Sequence, residues 1–148
     1  MKTDPAVTAI RLARMVEHGD VQGVAEALRA DPSLITVKTP DGDTILHLAC
    51  WQKQISIIGT ILAYRPDLNA RGCYGRTPLH YAVHEGRRIS VPIVGLLLAM
   101  GADPLVKDDN GFSVEDWAKI EMYEGLAEVL EMLRRSDPRS GSQRTHTV

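Results

Sequence analysis

His47, Cys50, Cys73, His80 and His84 are the side chains whose types invite metal or nucleophile chemistry. His80 and His84 stand four apart, the spacing at which two imidazoles on one helical face can share an ion. Nothing else completes such a site, because the chain has no H-E-x-x-H and no C-x-x-C. Acyl-transfer chemistry lacks its G-x-S-x-G turn, and phosphate binding lacks G-x-x-x-x-G-K-[ST]. The acid pair Asp108-Asp109 falls in a stretch with turn composition, where Asp caps its own backbone. The expectation is a chain with no metal, no cofactor and no catalytic activity.

The elements that carry these residues follow from length and pattern. At 148 residues, with 44% hydrophobic and 24% charged side chains, the chain can form one packed domain. Its 19 acids and 17 bases are interspersed, so no basic face is available for nucleic-acid phosphates. No apolar run is long enough for a membrane span, and Met1-Lys2-Thr3-Asp4-Pro5 does not read as a secretory leader. With two cysteines and no disulfide framework, the chain is expected to be intracellular, cytoplasmic or nuclear, and monomeric when free.

A repeat organises the rest. Gly42-Asp43-Thr44-Ile45-Leu46-His47-Leu48-Ala49 aligns with Gly75-Arg76-Thr77-Pro78-Leu79-His80-Tyr81-Ala82, and more loosely with Gly111-Phe112-Ser113-Val114-Glu115-Asp116-Trp117-Ala118. A second register agrees, since Pro66-Asp67-Leu68-Asn69-Ala70 matches Ala102-Asp103-Pro104-Leu105-Val106. Thr44, Thr77 and Ser113 are placed to cap a helix, and Pro78 suits its first position. Leu46 and Ala49, like Leu79 and Ala82, share a helical face. A second helix carries the larger apolar load: Ile55, Ile58, Ile61 and Leu62, then Ile93, Val94, Leu97 and Leu98, then Leu126, Val129, Leu130 and Leu133. Ahead of these, residues 6–34 read as a helix, a Gly19-Asp20 turn and another helix stopping at Asp31-Pro32-Ser33.

Thr77-Pro78-Leu79-His80-Tyr81-Ala82 carries the T-P-L-H-x-A signature, and the chain resembles the ankyrin repeat over residues 6–134. The resemblance implies an all-α solenoid of about four helix-turn-helix repeats, near 6–43, 44–76, 77–112 and 113–135, joined by hairpin-like loops. It gives His47 and His80 a structural task, hydrogen bonding between adjacent repeats. The terminal units carry polar residues suited to caps: Arg11, Arg14 and Glu17 first, then Glu121, Glu124, Glu128, Glu131, Arg134 and Arg135. Residues 136–148 read as a disordered polar tail. Three departures stand out. Extra residues lie between Gly86 and Ile93, Lys53 stands where the family has Gly, and Asp116 replaces the usual His.

The resemblance also implies where a partner protein binds, on the loop tips and exposed first-helix positions that line a groove. Carried over position by position, these are Pro40, Asp41 and Asp43, then Cys73, Tyr74 and Arg76, then Asp109, Asn110 and Phe112. On the helices they are Trp51 and Gln52, His84 and Glu85, Ile120 and Glu121. Trp51, Tyr74 and Arg76 are of the types that dominate binding hot spots, with packing over the core as the alternative for Trp51. Asp41-Gly42-Asp43-Thr44-Ile45-Leu46-His47-Leu48-Ala49 resembles the opening repeat of NF-κB inhibitors, which implies a Rel-type transcription factor as partner. Repeat number alone resembles the small inhibitors of cyclin-dependent kinases, and a general adaptor fits the same features.

Overall fold

Each helical unit begins with a polar bond that the sequence places at its first residue. In the computed structural model, which describes residues 3–84, 90–121 and 126–139, α1 (Pro5–Glu17) starts on Asp4, whose carboxylate accepts from Ala6 N at 2.9 Å. Asp20 opens α2 (Val21–Ala30) in the same way through Gly23 N, at 2.9 Å. A 3₁₀ turn, Pro32–Thr36, then leads into the repeated segment. There α3 (Ile45–Trp51) pairs with α4 (Ile55–Leu62), α5 (Pro78–Val83) with α6 (Val91–Ala99), and α7 (Val114–Glu121) with α8 (Leu126–Ser136). The expected all-helical hairpin array is therefore present.

Three tight fingers precede α3, α5 and α7, built by one recurring bond pair. Thr39 N donates to Asp43 O and Gly42 N to Thr39 O, both at 2.8 Å. The second finger repeats this with Gly72 N to Arg76 O and Gly75 N to Gly72 O, and the third with Asp108 N to Phe112 O and Gly111 N to Asp108 O. Each finger turns on a left-handed glycine: Gly42 (φ 95°), Gly75 (φ 68°) and Gly111 (φ 82°). Gly72 meets a different constraint, for a Cβ there would lie 2.2 Å from Asp43 Oδ1 and 2.9 Å from His47 Nε2.

The histidines fasten one unit to the next. Thr44 N donates to His47 Nδ1 (3.1 Å), which leaves Nε2 to carry the proton and donate to Arg76 O (2.9 Å). His80 does the same between Thr77 N (3.1 Å) and Phe112 O (3.0 Å). Both rings are fully buried. In the last unit Asp116 takes over the local half of this task, accepting from Ser113 N and Ser113 Oγ, both at 2.9 Å. Other bonds add to the fastening: Lys38 Nζ to Arg71 O, Lys53 Nζ to Tyr81 O and Ala82 O, and Arg71 to Lys107 O. Cys73 N also donates to Asp43, and Asp103 N to Asn69. In each of these bonds between units the side chain precedes the backbone group along the sequence.

Helices α1, α3, α5 and α7 pack in succession, while α2 lies on α4 and α6 on α8. Their shared core contains Leu28, Leu46, Ile57, Ile58, Ile61, Leu79, Ile93 and Leu97, all fully buried. The expected stripe in α4 needs one correction: Ile55 is 47% exposed and Ile57 is buried in its place. Ile55 is the first residue of α4 and faces solvent, whereas Ile57, Ile58, Ile61 and Leu62 are the buried residues of that helix. The first unit is also less polar outside than expected, with Val7 55% and Ile10 46% exposed on α1. Lys53 takes the left-handed conformation that glycine would favour (φ 56°), and its ammonium meets the last carbonyls of α5, the negative end of that helix.

Glu85, Glu124, the extra turn residues 86–89 and tail residues 140–148 lie outside the described residues, as do the side chains of Glu121 and Leu126. Helix α8 continues to Ser136, the residue at which the tail was expected to start. Among the described residues, no helix is long and apolar enough to cross a membrane.

Burial lowers the pKa of His47 and His80 below the ordinary value of 6.5, against the raising effects of their backbone hydrogen bonds and of Asp43 and Asp108 respectively. The unfolded chain therefore takes up protons first, so the stability these rings supply is full above pH 6.5 and declines as pH falls from there towards the folded values. Urea midpoints measured from pH 7.5 to 5 should fall, and His47→Gln and His80→Gln should each flatten that slope. A midpoint that holds steady through this range would show that the rings take up protons equally in the folded and unfolded chain.

Candidate protein-binding face

The fingers and the first helices bring together a run of rings that crosses three units. Tyr81 lies edge-on to His47 (5.4 Å between centroids) and to Trp51 (5.5 Å). Trp51 continues to His84 at 5.9 Å, His84 to Trp117 at 4.4 Å, and Trp117 to Phe112 at 5.5 Å. On the finger side, the Arg76 guanidinium carbon sits 4.9 Å from the Trp117 ring centre and 5.3 Å from that of Tyr74. These are the distances of edge-to-face and cation–π contacts.

Two buried carboxylates hold this arrangement from behind. Asp43 Oδ1 accepts from Cys73 N and from Tyr81 Oη, both at 2.9 Å. Asp108 accepts from Asn110 N (2.9 Å), Phe112 N (3.0 Å) and the Trp117 indole (2.7 Å), and lies 4.0 Å from Arg76 Nε. Burial alone would raise the Asp108 pKa, but these donors outweigh it and hold the group below the ordinary carboxylate value. Burial raises the pKa of the Tyr81 phenol, and Asp43 adds to it in the same sense.

The expected contact residues separate into distinct surroundings. Asp41, Tyr74 and Asn110, at one recurring finger position, are all exposed, Tyr74 by 63%. Asp43, Arg76 and Phe112 share the next recurring position, and their exposure rises along the array. Asp43 is 9% exposed, the Arg76 side chain 15% and Phe112 38%. Asp43 is thus corrected from a surface contact to a buried brace, because Tyr81 and Cys73 of the next unit close over it. His84 is likewise buried, at 7% exposure between Trp51 and Trp117. Trp51 and Gln52 are half-buried, and Glu85 lies outside the described residues. Of the other positions, Pro40, Asp109 and Ile120 are exposed and Cys73 half-buried.

Sequence reasoning named neither Tyr81 nor Trp117 among the contact residues. Both occupy the variable position after the motif histidine, where the second unit has Leu48, and that substitution of rings for leucine was the available signal. The cysteines and histidines do not assemble into a metal centre: His80 is spent on Thr77 and Phe112, while Cys50 is fully buried with its thiol pushed up to about 12 by that burial. Among the described residues, no three His, Cys, Asp or Glu side chains converge on a cation site.

Comparison with known proteins decides the family. Residues 12–108 match the family model for ankyrin repeats in three copies. The chain belongs to the ankyrin-repeat family. Ankyrin repeats are interaction modules and generally non-catalytic, so the coarse expectation of a protein-binding array stands. An ADP-ribosylation factor GTPase-activating protein of Arabidopsis thaliana is 37% identical over 73 residues, covering 49% of this chain and 9% of that protein. An E3 ubiquitin-protein ligase of the same plant is 28% identical over 142 residues, covering 90% of this chain and 8% of the ligase. Protein phosphatase 1 regulatory subunit 27 of Mus musculus is 28% identical over 96 residues, covering 65% and 60%. The chain thus spans less than two thirds of each of these relatives.

Asp43→Ala should lower stability by about 1–3 kcal/mol, the cost of leaving a buried donor without its acceptor. Tyr81→Phe should cost less, and the two together less than their sum, because they remove one shared bond. Chemical denaturation of the four proteins of this cycle tests it; strict additivity would show that the Asp43–Tyr81 bond carries no weight.

Proposed function

We propose that this ankyrin array is an adaptor that binds a partner protein on the face formed by its fingers and first helices. The observation that carries the reading is the ring run from Trp51 through His84 and Trp117 to Phe112, with Tyr74 standing over Arg76 at its edge. A core explains fully buried rings, but not Tyr74 at 63% and Phe112 at 38% exposure beside half-buried Trp51 and Trp117. Aromatic rings already fixed by their neighbours lose little entropy when a partner covers them, and Trp, Tyr and Arg are the types that dominate interface energetics. Asp41, Gln52 and Asn110 supply a polar rim. The mouse relative named as a regulatory subunit supports the same class, since a regulatory subunit works through another protein.

The Rel-inhibitor reading draws no comparable support. It rests on Asp41 to Ala49, and within that stretch Asp43, Thr44, Ile45, Leu46, His47 and Ala49 are buried and occupied by the repeat itself. Those residues report the fold and carry no information about a partner. Kinase inhibition has only repeat number behind it.

Tyr74→Ala and Phe112→Ala should each leave the melting temperature nearly unchanged and weaken partner binding about fivefold or more. Trp51→Ala behaves differently because Trp51 packs on Tyr81 and His84, and it should cost stability of about 1–3 kcal/mol as well as affinity. Pull-down from the native source with the wild-type chain and these variants, alongside thermal melts, is the experiment. A partner retained equally by Tyr74→Ala and Phe112→Ala would move the binding face elsewhere.

A further inference from the structure

We propose that Arg76 is the anchor of this face and that it receives a single carboxylate from an otherwise apolar segment of the partner protein; this deepens the function proposed above and rests on it. The Arg76 side chain is only 15% exposed, yet it makes no hydrogen bond within the described structure. Nε is buried without a hydrogen-bond acceptor. Asp108 is the neighbouring anion, but at 4.0 Å it is beyond hydrogen-bond reach, and its two oxygens already accept from Asn110 N, Phe112 N and the Trp117 indole. Asp108 thus balances the cation electrostatically while leaving the guanidinium donors unspent.

The guanidinium is held in place all the same. Its carbon lies 4.9 Å from the Trp117 ring centre and 5.3 Å from that of Tyr74, so two rings hold it at cation–π distance without using its N–H groups. With Nε buried, the end of the guanidinium left to meet a ligand is its pair of terminal Nη groups, whose planar geometry matches a carboxylate with two parallel bonds. Little entropy remains to be lost on binding, and the surrounding rings exclude water from the pair once a ligand covers them.

The neighbouring charges restrict what else the ligand can carry. Asp41 and Asp109 are exposed on adjacent fingers and repel a run of acids. Phe112 and the half-buried Trp51 and Trp117 offer apolar surface alongside. The segment that fits is therefore one Asp or Glu flanked by apolar side chains, not an acidic tract.

Random dodecapeptides displayed on phage, selected on the full 148-residue chain, provide the probe. Recovered peptides should carry one Asp or Glu among apolar residues. When the winners are synthesised and titrated, Arg76→Gln should weaken binding by about tenfold, the scale of one charge-assisted pair. Replacing the peptide carboxylate with its amide should cost the wild type as much, and should cost Arg76→Gln almost nothing further. Independent losses in that cycle, or winners without an acid, overturn the carboxylate assignment. If the winners lose affinity on Phe112→Ala while ignoring Arg76→Gln, the face is right and the anchor wrong. Winners indifferent to Tyr74→Ala, Phe112→Ala and Arg76→Gln overturn the face itself, and a selection that yields no binder overturns recognition of a short segment. Matching thermal melts establish that each variant is folded.

Discussion

A neutral imidazole with both nitrogens engaged is the interaction on which this array depends. His47 accepts from the backbone that starts its own helix and donates to the finger of the following unit, and His80 repeats the arrangement. One ring thus fixes a helix start and a finger position together, which neither a hydroxyl nor a carboxylate could do with the same reach. The fingers then set where Tyr74, Arg76 and Phe112 stand, so the candidate face inherits its geometry from a proton on Nε2. The fourth unit shows the division of labour. Asp116 keeps the local cap through Ser113, but a carboxylate has no proton to donate onward.

Much of this was legible because a repeat gives each position several readings. Thr44, Thr77, His47 and His80 could be assigned from the motif alone, and the helices of the first unit followed from Asp20, Gly19 and Pro32. The failures arise where one position was read in isolation. Ile55 was placed in the core by its hydrophobicity, although Ile57 and Ile58 stand 36 residues before Ile93 and Val94, which are buried at the same register. Asp43 was read as a tip residue because the loop-tip positions implied by the resemblance were carried over one by one. Its burial depends on Tyr81, 38 residues away, and no local pattern reveals that pairing.

The candidate face was legible only in part, for a physical reason. Asp43, Arg76 and Phe112 occupy one repeat position but have three different surroundings, since each is covered by whatever the next unit supplies. Sequence names the position, while the neighbour decides whether it braces the interior or meets solvent. The same holds for Leu48, Tyr81 and Trp117. A variable position filled by leucine completes a core, whereas filled by rings it joins separate units into one surface.

The one-way order of the fastenings has a mechanical consequence. The side chains described above as gripping backbone in another unit each grip a later one, from Lys38 at Arg71 to His80 at Phe112. Tension applied at the far end would load these grips one after another instead of all together, as a zipper is loaded and a lap joint is not. Units would then come away last to first, each leaving behind a side chain that water can satisfy. A load shared across the aromatic face would be carried by three units in parallel, so a bound partner would act as a splint along the direction in which the array most easily peels.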